Sequence, residues 1–168
     1  DKNKAWKNVK WSVELGSKAY GGPTVGNGKI FIGTNNQNPR NKDAKYIGDR
    51  GVIMCFNETD GRFLWQLVHD KLTAGRVNDW PEEGICSAPV IEGDRIYYVS
   101  NRCEVICATT TGLAAGNVGV KDETYTSKTD GDIIWRLDMI GQLGVFPHNL
   151  ATCSPLIVGD TLFLITSN

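Results

Sequence analysis

The chain repeats one short phrase three times, and that recurrence limits what it can fold into. "PTVGNGKIFIGT" (residues 23–34), "PVIEGDRIYYVS" (89–100) and "PLIVGDTLFLITS" (155–167) each place two apolar runs around a two-residue turn. The turn pairs Asn27-Gly28, Gly93-Asp94 and Gly159-Asp160 suit the tight hairpin turns that demand positive φ. Aligned on Pro23, Pro89 and Pro155, the phrases stand 66 residues apart (89 − 23 and 155 − 89). Small residues precede each proline: Gly21-Gly22, Ser87-Ala88 and Cys153-Ser154. One hairpin is a local event, whereas three in step describe the whole chain.

A second landmark accompanies them. "WSVEL" at Trp11, "WQLV" at Trp65 and "WRLDM" at Trp135 alternate apolar and polar residues, the period of a half-buried strand. Between hairpin and Trp strand lies a third strand: "GVIMCFN" in the first unit and "CEVICATTT" in the second. Asp60-Gly61 and Asp130-Gly131 stand at one distance before their tryptophans and predict tight turns between third and fourth strands. No segment shows a helical period with caps. From Pro23 to Trp65 is 42 residues and from Pro89 to Trp135 is 46, so insertions shift while the framework holds (65 − 23 and 135 − 89). Four-stranded units recurring with a Trp and a Gly turn are the signature of a β-propeller. The expected fold class is therefore all-β: an incomplete propeller of about two and a half four-stranded antiparallel blades.

The stretch "CFNETDGRFLW" resembles the tryptophan-docking motif of pyrroloquinoline-quinone-type propellers, the quinoprotein alcohol dehydrogenase-like superfamily. Asn57, Gly61 and Trp65 match that motif, with Cys55 standing for alanine and Asp60 for threonine; in the second unit Gly131 and Trp135 match. "GGPTVGNGKIFIGTNN" is similar to the opening hairpin of the same repeats. The resemblance implies that Trp11, Trp65 and Trp135 wedge one blade against the next. It also implies four parts: 1–15 as outer strand of a preceding blade, 16–70 as a blade, 71–140 as a blade with a polar insertion, and 141–168 as the opening hairpin of a third. Two full units cannot close a propeller of four to eight blades. With no initiating Met and a finish on an apolar strand, the chain reads as a segment whose partners are the remaining blades of its parent.

Enzymes of that superfamily hold pyrroloquinoline quinone over the central channel beside calcium, with a carboxylate base and often a Cys-Cys pair. No Cys-Cys pair occurs here, and no acid maps onto the base. The expected role is a non-catalytic binding or assembly platform in an exported bacterial protein, periplasmic or extracellular, with no cofactor in the segment. The alternative is a fragment of a quinone-dependent dehydrogenase, with quinone and calcium held by the parent.

Composition narrows the partners further. The 18 basic and 19 acidic residues are interspersed, without the basic stripe that nucleic acid or anionic membrane would require. No apolar run is long enough to span a bilayer. Among five cysteines, Cys55 and Cys107 hold equivalent third-strand positions and read as core. Cys103 and Cys107, four apart on one strand, lie about 13 Å from each other by strand rise and cannot share a zinc. Cys86–Cys103 is the favoured disulfide, with Cys153 a competing partner, and a bridge would imply an oxidising compartment. His69 and His148 fall in no metal-ligand spacing. "VNDWPEEG" gathers Asp79, Glu82 and Glu83 in what reads as a solvated loop rather than a calcium site. The insertions "NPRNKDAKYIGDRG" and "AAGNVGVKDETYTSKTDGD" read as loop decorations open to a protein partner.

Overall fold

In the computed structural model, which describes residues 7–166, the chain is all-β apart from four short helical turns. Three antiparallel sheets follow one another along it. The first contains β1 (Thr24–Gly26), β2 (Lys29–Asn35), β3 (Arg50–Asn57) and β4 (Phe63–Asp70), side by side in sequence order. The second repeats that meander with β5 (Val90–Glu92), β6 (Arg95–Val99), β7 (Glu104–Thr109) and β8 (Ile133–Asp138). The third is the hairpin of β9 (Leu156–Val158) and β10 (Thr161–Phe163).

All three recurring phrases are two-residue hairpins, closed by Gly26–Lys29, Glu92–Arg95 and Val158–Thr161. Their turns differ. Asn27 and Gly28 both adopt positive φ (55° and 69°), a type I′ turn. At the other two only the first residue does so, Gly93 and Gly159 each at 55°, as a type II′ turn requires.

Strand alternation builds the core as stacked sheets. In β3, Ile53 and Cys55 face one way, packing with Phe31, Trp65 and Leu67 against Ile96, Tyr98, Ile106 and Ala108 of the second sheet. Val52, Met54 and Phe56 face the other way and pack with Tyr46, Val68 and Tyr125. The second sheet's far face (Val99, Val105, Leu137) packs with Met139, Val145 and Ala151, and with Leu162 and Leu164 at the third. Both full sheets break register at one equivalent step, between Cys55 and Phe56 and between Cys107 and Ala108. The repeat step reappears as contacts between neighbouring hairpins, 65 or 66 residues apart: Thr24 Oγ1 donates to Pro89 O at 2.5 Å, Asn27 Nδ2 to Gly93 O at 2.6 Å, and Ala88 N to Ser154 Oγ at 3.0 Å.

Several expectations need correction. "WSVEL" is no strand: Trp11, Val13 and Leu15 are half-buried while Ser12 and Glu14 are exposed, but among the described residues no strand pairs with them. Residues 1–6 of the expected outer strand lie outside the described residues. Asp130-Gly131 is not a hairpin turn, because the long segment between β7 and β8 lies there against β4. A short helix, α1 (Met139–Leu143), follows β8 without any extended helical period. It is fixed by its ends: Asp138 Oδ1 accepts from Ile140 N and Gly141 N, each at 3.0 Å, and Gly144 closes it at φ 68°.

Candidate functional site

Two indoles dock on the following strand-to-strand corner in the same way. Trp11 Nε1 donates to Glu58 O at 3.1 Å, and Trp65 Nε1 donates to Thr110 O at 3.2 Å, at positions three beyond Cys55 and Cys107 (58 − 55 and 110 − 107). A glycine lies under each ring. A Cβ on Gly61 would come within 2.7 Å of Trp11 Cδ2, and one on Gly112 within 2.9 Å of Trp65 Cδ1. Both glycines hold left-handed φ, 72° and 73°, so absent side chain and permitted backbone coincide. Gly131, the sequence-matched residue, is not that glycine: its missing Cβ makes room for Leu67, whose Cγ would be 2.4 Å away.

The corners are built by side chains acting on their own backbone. Asn57 Oδ1 accepts from Thr59 N at 2.8 Å and Asp60 N at 3.3 Å, and at the equivalent place Thr109 Oγ1 accepts from Gly112 N at 3.1 Å. Trp65 and Trp135, at equivalent register positions, each have a matched ring neighbour. Phe31 and Trp65 lie 5.7 Å apart at 52°, and Tyr97 and Trp135 lie 6.0 Å apart at 53°. The tryptophans differ in cover: Trp65 is 2% exposed and Trp135 41%.

The polar insertions are not free decorations. The second runs back along the first sheet and bonds its outer edge: Gln66 N donates to Thr129 O at 3.0 Å and Gly131 N to Gln66 O at 2.6 Å. There it meets the first insertion. Tyr46 and Tyr125 rings stand 5.0 Å apart, and the Tyr46 hydroxyl donates to Asp130 Oδ2, which also accepts from Ser127 N at 2.7 Å. Asp130 is fully buried, and burial pushes its carboxyl above the ordinary range. Tyr125 Oη donates to Asp70 Oδ1 at 2.6 Å and accepts from Arg50 Nε at 3.0 Å, and Arg50 pairs with Asp70 at 2.8 Å.

Beneath this clamp opens the candidate site, a cleft of about 310 Å³ between the first and second sheets. β4 contributes His69 and Asp70, the β6–β7 corner Arg102, β7 Glu104, β8 Arg136, and the insertion Asp122 and Glu123. Arg136 pairs with Asp122, and Arg102 with Glu104 at 3.6 Å. Glu123 accepts from Ile133 N at 3.0 Å and Asn117 Nδ2 at 2.9 Å, and burial raises its pKa. His69 Nε2 shares a 2.7 Å hydrogen bond with Tyr98 Oη, and burial lowers the imidazole to about 3. A neutral imidazole bonded to a buried phenol positions groups and carries no charge near neutral pH. With fixed ion pairs around it, the cleft offers oriented polar contacts to a ligand.

The loop expected to be solvated is anchored too. Asp79 is fully buried, paired with Lys71 and accepting from Leu72 N at 2.9 Å and Asn101 Nδ2 at 2.8 Å. Cys55 and Cys107 are buried as expected, opposite Trp65 and Trp135 in register. Cys86 and Cys103, the favoured pair, are both free thiols, as are the other three cysteines. Among the described residues no cluster of three or more His, Cys, Asp or Glu side chains could hold a metal ion. No helix there is long and apolar enough to cross a membrane. Sequence reasoning missed Gly112, Gln66 and the Tyr46–Asp130–Tyr125 group. The only local signal was a pair of tyrosines inside otherwise polar insertions. No protein-family model matches the chain, and no curated protein matches it.

Proposed function

We propose that this chain is a run of pyrroloquinoline-quinone-like propeller repeats serving as a non-catalytic binding or assembly platform in an exported bacterial protein. The repeated indole docking carries the reading, since Trp11 and Trp65 bond equivalent carbonyls over equivalent glycines. In that arrangement each sheet is a blade, and the half-exposed Trp135 is the socket for the matching corner of a further blade opened by β9 and β10. The inter-sheet cleft is the ligand-facing part of the platform, because rigid sheets hold its polar groups in place. The partners on those groups support the non-catalytic reading. The cleft's carboxylates are engaged in ion pairs and backbone bonds, and His69 is held neutral against Tyr98. Fold resemblance alone would not assign an activity.

The test is to titrate the full-length protein with pyrroloquinoline quinone and calcium, and then to assay dye-linked alcohol oxidation. The platform reading expects neither saturable quinone binding nor turnover above a protein-free control. Saturable binding with turnover would replace it with the dehydrogenase reading.

A further inference from the structure

We propose that Cys103 and Cys153 form a disulfide, tying the second sheet to the segment that leads into the third. Both thiols line one cavity of about 280 Å³, walled largely by apolar side chains such as Met139, Val145 and Ala151. Cys103 belongs to the buried cluster on the second sheet's far face, and Cys153 packs against that same cluster. Their backbones are pinned on either side of it. Cys103 N donates to Ser100 O at 3.0 Å while its carbonyl accepts from Met139 N at 3.2 Å. One residue beyond Cys153, Ser154 Oγ accepts from Ala88 N at 3.0 Å, holding that segment beside the second sheet. Cys103 also holds a left-handed backbone, φ 59°, which a residue bearing Cβ adopts only when its surroundings impose it. Burial raises both thiols, and after burial Cys153 is the first group acting on Cys103. Cys86 belongs neither to that cluster nor to the lining of that cavity.

The chemistry is thiol–disulfide exchange with a small disulfide oxidant such as oxidised glutathione. Cys153, the more exposed thiol, loses its proton and attacks one glutathione sulfur, forming a mixed disulfide and releasing one glutathione thiolate. The Cys103 thiolate then attacks the Cys153 sulfur and displaces the second. Two thiols surrender two protons and two electrons, and one oxidised glutathione becomes two reduced molecules. Because burial disfavours both thiolates, the exchange is slow near neutral pH and quickens in mild alkali. The closed loop spans 50 residues (153 − 103), long enough for a bridge to restrict the unfolded chain appreciably.

Folded protein is incubated with oxidised glutathione at about pH 8.5, near the ordinary thiol pKa, digested without reduction and mapped by mass spectrometry. The expected product is a linked peptide pair containing Cys103 and Cys153, released by dithiothreitol, with a thermal midpoint raised by roughly 5–10 °C over the reduced protein. Cys86→Ser should keep both the link and the shift, and Cys153→Ser should lose both. A Cys86–Cys103 link, or Cys153 left as its glutathione adduct, overturns the proposal. Wild-type mapping needs no variant to fold, so the result stands even if a substitution misfolds.

Discussion

Trp65 shows how much one side chain contributes when two sheets close on it. Its ring lies beside Phe31, over Gly112, with Nε1 bonded to Thr110 O, and it is 2% exposed. Trp65→Ala empties a buried indole's volume and orphans that carbonyl, so we expect a loss of about 3–5 kcal/mol in urea unfolding. Trp135→Ala removes a ring with Tyr97 on one side and solvent on the other, at 41% exposure, so about 1 kcal/mol or less is expected. Equal losses would mean that the contact across the sheets adds nothing. Position 112 is the companion case: a side chain there meets both a left-handed φ and the indole, and the sequence match pointed to Gly131. The motif's spacing assumes a short corner, and the insertion transfers the glycine's role to its own first residues.

At the scale of elements, the strands were legible and the loops were not. Alternating Val, Ile, Phe and Tyr between Gly-containing pairs predicts β1–β10 because those residues suit a pleated, half-buried surface. The insertions defeat such reading, since what places them is one backbone pairing at Gln66 and a few long-range side-chain bonds, none of them periodic. α1 escaped for a related reason: five residues are too few for a period, and its caps alone define it. The second insertion shields the outer edge of β4, an exposed template for other chains without it. Replacing residues 113–131, which include the Thr129–Gly131 stretch paired with Gln66, by a short Gly-Ser linker should raise self-association in light scattering relative to the parent chain. Tyr46→Phe, which keeps the ring and loses the bond to Asp130, should cost about 1–3 kcal/mol without promoting association.

For the molecule as a whole, pH reads out what burial has done to its ionisable groups. The folded His69 pKa of about 3 lies below the unfolded value near 6.5. Over that window the unfolded chain binds the extra proton, so stability falls as pH drops, by up to about 1.4 kcal/mol per unit. Asp130 and Glu123 work in the opposite sense, because folded pKa values raised by burial favour the folded chain once they are protonated. His69→Gln should flatten the wild-type decline between about pH 6 and pH 4 in chemical denaturation; an unchanged slope would place the titration elsewhere. The crossing of the insertion onto β4 also imposes an order of manufacture. Gln66 leaves the ribosome 63 residues ahead of Thr129 (129 − 66), so that rim stays bare for roughly 3–13 s at 5–20 residues per second. During that interval a nascent chain carries an unfinished first sheet, with one strand edge open to pairing until the later residues arrive.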